Sequence, residues 1–419
     1  MTATLSSPFA DPAERITRHD GPDHLVISEH PVLRRFWYAA CFAADVTDGP
    51  VARTVLGEKL VLWRAAPDRS VSAALDLCAH RDAPLSRGWV AHCHLVCAYH
   101  GWEWDARGRT KRIPQFPDAP HPTKSGLTMV AAQERYGLVW VCLDDDPIAG
   151  IPPVPEYGAP GWRVVPEYEY KFACTAMHLL ENNFDPGHVA FVHRGTFGNP
   201  DRAELTDTVV SREPYGILTA GQVPVDSRPG ESGATLRTTV SKVYAPFFGH
   251  IHITYPDGLR HVMIKAITPV DDTHCSLAQI VLRTDAEADR PAADILAFDV
   301  AVENEDRSLL ESLPGSFPLA PHLNAHARAD RNSLAIRRLW TDLITGRWHP
   351  TYGSPPSAPP PPEPLPDLST HQDRDSAEYL TGCDRPNIQR YLFWLTRGAE
   401  YSPEDEYPCS GAGPACGGR

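Results

Sequence analysis

Two short Cys/His pairs constrain this chain more than any other feature. Cys78-x-His80 is followed, after sixteen intervening residues, by Cys97-x-x-His100. Each pair offers one thiolate and one imidazole, so two loops that close on a common centre provide four ligands. A two-iron cluster takes such a set, with two thiolates on one iron and two histidines on the other. The histidines raise its reduction potential above that of an all-thiolate cluster, so it passes electrons onward to an oxidising site. Pro84, Gly88 and Gly101 allow close backbone approach, and Trp89, Tyr99, Trp102 and Trp104 could shield a cluster. A structural zinc ion also accepts two Cys and two His. Zinc fingers, however, usually pair Cys with Cys and His with His, whereas each pair here is mixed. His92, Cys93 and His94 lie close by but lack a partner at matching spacing.

With the following Gly101-Trp102, the C-x-H, sixteen-residue gap, C-x-x-H pattern resembles the Rieske family. The resemblance implies a [2Fe-2S] cluster held by Cys78, His80, Cys97 and His100.

Composition narrows the remaining function classes. At 419 residues the chain can support two or more domains. A net charge of −14 argues against nucleic acid, whose phosphates would repel such a surface. Residues 1–30 carry no apolar core of signal-peptide length. No run of about eighteen apolar residues occurs, so no membrane span is expected. Ten cysteines in a chain of this length do not make a disulfide scaffold. Cys41, Cys142, Cys174 and Cys275 read as scattered core thiols, and the protein is expected to be cytoplasmic.

Turn residues divide the rest. Short strands at 60–65 and 71–78 flank a hairpin turn at 67–70. Two more strand pairs flank turns at 105–108 and 136–137. This spacing predicts a small antiparallel β domain over 31–146, after an N-terminal segment 1–30, with the ligands on hairpin tips. A proline-rich connector, 147–162, opens a second domain over 147–350. There the pattern predicts a strand at 163–177, a helix at 179–193 broken at Asp185-Pro186, and strands at 206–211, 216–223, 235–244, 250–254, 262–270 and 275–284. A long helix follows at 291–313. The fold class is therefore α+β, with an antiparallel sheet in the second domain. A stiff Pro-rich linker, 351–371, leads to a C-terminal helix and tail, 372–419, with a short amphipathic helix at 379–397. The tail cysteines Cys409 and Cys416 read as uninvolved.

The second chemical constellation lies in Glu181–His193, ENNFDPGHVAFVH. Asp185-Pro186 is a good helix start, with Asp as N-cap and Pro first in the helix. His188 continues an apolar stripe of Leu180, Phe184 and Val192. His193 lies five residues on, a step of about 140° on an ideal helix, so the pair converges only at an irregular turn or helix end. Two histidines and one carboxylate with open positions form the pattern of non-haem iron oxygenases. The long helix supplies the acid: Ile295, Phe298, Val302, Leu309 and Leu313 step by three or four, and Asp306 fills the gap. A carboxylate on a buried face is costly unless paired, and a metal would satisfy it. Asp299, Glu303 and Glu305 lie off that stripe and read as solvated or partly solvated. Phe247, Phe248, Ile251 and Ile253 are compatible with an apolar pocket but read first as ordinary core.

The run from Asn183 to His193 resembles the D-x-x-H-x-x-x-x-H motif of Rieske non-haem iron oxygenases, and Glu305 to Ser312 is similar to the segment carrying their carboxylate ligand. The resemblance covers about 31–350. It implies a helix-grip catalytic domain and mononuclear Fe(II) at His188, His193 and Asp306. It also implies that Asp185 bridges that iron to a Rieske histidine of the neighbouring subunit in a ring-shaped homotrimer. The activity implied is a terminal oxygenase that spends O2 and externally supplied electrons on a small, apolar or aromatic organic substrate. No flavin- or nicotinamide-binding glycine fingerprint follows a strand, so a separate reductase or ferredoxin must donate the electrons. The one-chain layout resembles the branch with vanillate O-demethylase, ketosteroid hydroxylase and pheophorbide a oxygenase, which favours monooxygenation such as hydroxylation or O-demethylation. Natural-product oxidative cyclases or desaturases are the neighbouring alternative. Outside the class stand an electron-transfer Rieske protein without oxygenase activity and a zinc-stabilised binding module.

Overall fold

The computed structural model describes residues 24–25 and 30–353, apart from 67, 123–125, 207 and 226–234. The Pro-rich linker, the helix expected at 379–397, Cys409 and Cys416 lie outside the described residues, as does nearly all of 1–30. The described chain forms two compact units, one chiefly of 61–129 and one chiefly of 130–353 together with 52–60 and the residues before 46.

In the smaller unit, strands Trp89–Ala91, His94–Val96, Glu103–Trp104 and Thr110–Arg112 form a four-stranded antiparallel sheet in that order. The first turn falls on His92 and Cys93, both at positive φ (53° and 58°), so these two residues make the hairpin tip. Val61, Trp63, Ala74, Leu95 and Trp104 are buried in one cluster with Cys78 and Cys97. The two thiols are therefore set in a dry floor.

In the larger unit, strand Leu138–Cys142 pairs with Trp37–Phe42 on one side and Met129–Arg135 on the other. The Tyr136-Gly137 turn between the last two has φ of 58° and 74°, as a tight hairpin requires. The main element is a seven-stranded antiparallel sheet. Its strands are β1 (Arg163–Phe172), β2 (Val209–Glu213), β3 (Gly216–Val225), β4 (Thr235–Tyr244), β5 (Phe248–Thr254), β6 (Arg260–Pro269) and β7 (Cys275–Arg283). Their order is β1-β7-β6-β5-β4-β3-β2, a meander whose last strand returns beside β1. The strands match the sequence expectations within a few residues.

Side-chain alternation gives the sheet two different faces. Val262, Ile264, Ala266, Ala278, Ile280 and Leu282 join Trp37, Leu138 and Trp140 in one core. Burying each large side chain there contributes about 1.5–3 kcal/mol. The alternate residues, His261, Met263, Lys265, Gln279 and Arg283, line a cavity on the other face.

Among the described residues, four α-helices complete the unit: α1 (Ala176–Phe184), α2 (Val189–Val192), α3 (Ala292–Leu310) and α4 (Arg331–Ile344). The expected break falls at Asp185-Pro186. Asp185 is the C-cap of α1, where its φ of −89° and ψ of 114° leave the helix, and its carboxylate also accepts from the Gly187 and His188 N–H groups as an N-cap does, although α2 itself begins only after His188. Thr175 caps the start of α1 by accepting from the His178 N–H. The stripe expected on the long helix is corrected. Leu309 and Leu313 are exposed, while Asp299 and Glu303 are buried beside Ile295, Asp306 and Leu310. The inner face of α3 is acidic because it covers a polar cavity and carries partners for its charges, not because it packs an oily core.

Helix α4 was not anticipated, although Ile336, Leu339, Trp340 and Leu343 form a buried helical stripe in the sequence. Cys41 and Cys142 are buried core thiols, as expected. Cys174 and Cys275 are also buried but are not scattered, since the two thiols hydrogen-bond each other. Phe247 and Phe248 belong to the core, whereas Ile251 and Ile253 reach the cavity.

Candidate functional site

The two Cys/His loops of the smaller unit repeat one backbone pattern. The Cys78 N–H donates to the Ala83 carbonyl and its own carbonyl accepts from Asp82 N–H, both at 2.9 Å. The Cys97 N–H donates to Trp102 and its carbonyl accepts from Gly101, again at 2.9 Å. Asp82 and Gly101 hold the same left-handed position, with φ of 55° and 69°. Side chains then pin the loops. Asp76 accepts from the Ser86 N–H at 2.7 Å and from its hydroxyl at 2.6 Å, and the Gln115 amide donates to the His100 carbonyl at 2.8 Å. Gly88 is required by close approach, since a Cβ there would lie 1.9 Å from the Val96 carbonyl oxygen.

These loops bring the four sequence-predicted residues together. Cys78 and Cys97 are 1 % exposed and hydrogen-bond each other, which raises the Cys78 thiol and pulls Cys97 down to about 6. The His80 and His100 rings meet edge to face at 4.5 Å, and Trp102 stacks on His80 at 4.3 Å and 8°. The His80 Nδ1 is buried with no hydrogen-bond partner, as fits a nitrogen meant for a metal. Two buried thiols and two half-buried imidazoles suit an iron–sulfur cluster with its histidine side toward solvent. Among the neighbours, His94 is committed to Glu103 at 3.0 Å, and His92 and Cys93 form the hairpin turn.

In the larger unit, the five-residue histidine spacing converges because α2 is a single turn. His188 precedes it and His193 ends it with φ −91° and ψ 23°. The two Nε2 atoms lie 3.2 Å apart, and Asp306 Oδ1 lies 3.8 Å from His188 Nε2 and 3.5 Å from His193 Nε2. His188, His193 and Asp306 form the one group among the described residues able to hold a metal ion with three ligands of this kind. A point equidistant from those three atoms sits about 2.0 Å from each, the length of a metal–imidazole or metal–carboxylate bond. Asp306 Oδ1 is buried without a hydrogen-bond partner, so the residues fit the ion.

Supporting bonds orient each ligand. The His188 Nδ1–H donates to the Asp185 carbonyl at 2.6 Å, and the His193 Nδ1–H donates to Glu305 Oε2 at 3.1 Å. Both Nε2 atoms are thereby free to bind metal. Thr196 donates to the same Glu305 oxygen at 2.7 Å. The Asp185 carboxylate accepts from Gly187 N–H at 2.8 Å and His188 N–H at 3.2 Å. Gly198 N–H donates to the His193 carbonyl at 2.7 Å, and a Cβ at Gly198 would stand 2.2 Å from the Val189 carbonyl oxygen.

Burial lowers both histidines, keeping them neutral as ligands must be, and pushes the Asp306 carboxyl up to about 6. Behind the site, α4 clamps α1. Asn332 donates to the Phe184 carbonyl at 2.7 Å, and Arg337 grips Glu181 through two bonds of 2.7 and 2.9 Å. Glu305, Asn332 and Arg337 are the supporting residues that sequence reasoning missed. Only the amphipathic stripe of α4 carried a signal for the last two.

The metal group opens on a cavity of about 160 Å³. Its walls combine apolar side chains (Ile251, Ile253, Phe298, Val302) with Thr239, His261 and Arg237. Lys265 forms a buried ion pair with Glu303, one helical turn before Asp306.

Comparison with known proteins gives the same two parts. Residues 36–125 match the Rieske [2Fe-2S] domain model, and residues 172–346 match the vanillate O-demethylase oxygenase C-terminal domain model. The oxygenase component of chloroacetanilide N-alkylformylase from Rhizorhabdus wittichii is 34 % identical over 354 residues, covering 76 % of this chain and 97 % of that protein. Methylxanthine N1-demethylase NdmA from Pseudomonas putida is 29 % identical, covering 76 % and 91 %. The solved structure of NdmA with caffeine superposes with a TM-score of 0.69 at 29 % identity, covering 76 % of this chain and 93 % of that one. No helix among the described residues is long and apolar enough to cross a membrane. The chain therefore belongs to the Rieske non-haem iron oxygenases, as an oxygenase component with a [2Fe-2S] domain and a mononuclear His/His/Asp site.

Proposed function

We propose that this oxygenase performs monooxygenation on a small, largely aromatic or apolar substrate, and that O- or N-dealkylation is its reaction. The observation carrying this reading is the opening of the His188–His193–Asp306 group onto the mixed apolar and polar cavity. The match to a demethylase-type C-terminal domain, and relatives named as demethylases and an alkylformylase, support dealkylation. His188, His193 and Asp306 would hold a ferrous ion, which would supply O2 activation, and Cys78, His80, Cys97 and His100 would hold the [2Fe-2S] cluster that would supply its electrons.

The protein's own residues shape the rest. His188, His193 and Asp306 would hold the ion where they line the cavity, so that substrate in the cavity would lie beside it. The Asp185 carbonyl and Glu305 fix both imidazole tautomers. Phe298, Val302, Ile251 and Ile253 exclude water and hold a ring near the metal. Oxidation of the C–H bond beside an ether or amine heteroatom gives an adduct that collapses to alcohol or amine plus aldehyde. One O2, two electrons and two protons yield one dealkylated product, one formaldehyde and one water. A separate reductase or ferredoxin supplies the electrons. In a cytoplasmic homotrimer, Asp185 would be the residue that links this site to a cluster histidine of a neighbouring subunit.

Iron, zinc and sulfide content after anaerobic purification tests this reading. Three irons and two sulfides per chain, with formaldehyde formed from a methoxy- or methylamino-arene under ¹⁸O2 and a reductase, are expected. Zinc in place of cluster iron after iron-replete anaerobic expression would overturn it. So would a catalytic site that stays empty when ferrous iron is added back.

A further inference from the structure

The chain just beyond the histidine pair folds back on one of its members. The His193 carbonyl accepts from three successive N–H groups, those of Thr196 at 3.0 Å, Phe197 at 3.0 Å and Gly198 at 2.7 Å. These bonds close residues 193–198 into a tight turn. The turn needs glycine at its end, where a Cβ would stand 2.2 Å from the Val189 carbonyl oxygen. It lays the Phe197 side chain over His193, so that the two rings stack with centres 4.9 Å apart and planes 18° from parallel. Thr196 joins the same assembly, since its hydroxyl donates to the Glu305 oxygen that also accepts from His193 Nδ1.

The stack restrains a motion that the hydrogen bond leaves open. A bond at a ring nitrogen acts in the plane of the ring and resists tilting only weakly, whereas a flat partner on the face opposes tilting directly. Phe197 is itself held. It is buried in one cluster with Val189 and Val225, its ring lies 5.9 Å from that of Phe298, and the Arg237 guanidinium lies 5.1 Å from its centre. His188 has no equivalent: among the described residues its ring contact is with His193, edge-on at 71°. The tilt of His193 matters because the Nε2 lone pair lies in the ring plane. That atom stands 3.2 Å from His188 Nε2 and 3.5 Å from Asp306 Oδ1.

We propose that Phe197 is a positioning residue for the metal site, holding the His193 imidazole plane so that the Nε2 lone pair is aimed at the point it shares with His188 Nε2 and Asp306 Oδ1. It acts through His193 and not on the ion. The flat face is what this role needs, so an aliphatic side chain does not replace it and another ring does. The proposal rests on the reading of His188, His193 and Asp306 as the iron site.

Ferrous binding tests this without turnover, in the full chain purified anaerobically and stripped of mononuclear iron with its cluster retained. Competition with a ferrous chelator measures affinity. The electron paramagnetic resonance spectrum of the ferrous site with nitric oxide added reports ligand geometry. Phe197→Leu is expected to weaken ferrous binding about 10-fold and to change that spectrum. Phe197→Tyr, which keeps the ring face, should retain both the affinity and the spectrum of the wild type. A side chain that only fills space would lower the urea midpoint and leave the spectrum unmoved. Gly198→Ala pushes the turn off the Val189 carbonyl, and provides the same reading if Phe197→Leu does not fold. The proposal is overturned if Phe197→Leu, or Gly198→Ala in its place, keeps the wild-type affinity or the wild-type spectrum. It is also overturned if a folded Phe197→Tyr loses as much as Phe197→Leu. Failure of the iron-site reading shows instead in the wild type, which would then take up no ferrous ion.

Discussion

Glu305 and Asp306, adjacent in sequence, grip the same imidazole from its two nitrogens. Glu305 Oε2 lies 3.1 Å from His193 Nδ1, and Asp306 Oδ1 lies 3.5 Å from His193 Nε2. Successive helix residues are turned by about 100°, so they reach both edges of one ring only because His193 stands beside α3. One carboxylate fixes the proton on the distal nitrogen and the other faces the metal position.

Removing the orienting acid should therefore weaken the iron without unfolding the protein. Glu305→Gln keeps the shape but loses the charged acceptor, and ferrous affinity should fall about 10- to 100-fold. Competition with a ferrous chelator measures it. An unchanged affinity would show that Glu305 merely fills space.

Asp185 combines two roles that a variant can separate. Its backbone carbonyl orients His188, while its carboxylate bonds the Gly187 and His188 N–H groups. Asp185→Asn retains the carbonyl and one acceptor oxygen, so iron content should be near three per chain. If the carboxylate carries electrons between centres, single-turnover oxidation of the reduced cluster should slow at least 100-fold. Wild-type rates in an iron-replete Asp185→Asn would remove that role.

The Lys265–Glu303 pair joins β6 to α3 with both side chains almost fully buried. Breaking it leaves an uncompensated buried charge, so Lys265→Met or Glu303→Gln should each destabilise by about 3–5 kcal/mol. Replacing both with Met and Leu should be close to neutral. Urea unfolding of the singles and the double checks the non-additivity; additive losses would contradict it.

His261 predicts a direction for stability against pH. Its folded pKa is lowered, to about 3, so the unfolded state binds the proton first. Stability is full above the unfolded value of about 6.5 and falls as pH drops below it, by up to about 1.4 kcal/mol per unit. His188 and His193 are lowered in the same sense and add to the slope. His261→Gln should reduce the loss between pH 7 and 5 in urea midpoints. A slope equal to wild type would mean that His261 is protonated in the folded protein.

The sequence by itself determined the chemistry and most of the strands. The grouping of Cys78, His80, Cys97 and His100 was legible because residues on two tight loops that close on one place lie close in sequence. The six strands after residue 205 were legible because alternation and turn residues act locally. It also located His188, His193 and Asp306, although His188 and His193 converge only because α2 ends after one turn. Tertiary structure decided what lay across elements. The stripe on α3 misread Asp299 and Glu303 as solvated and Leu309 as buried, since that helix covers a charged cavity whose opposite wall comes from strands some forty residues away in sequence. Glu305, Asn332 and Arg337 act on partners more than one hundred residues distant, at His193, Phe184 and Glu181. Local pattern reports which residues are apolar and where the chain turns. It carries no record of which polar groups meet once the sheet and helices close, and those meetings set the proton positions and the shape of the site.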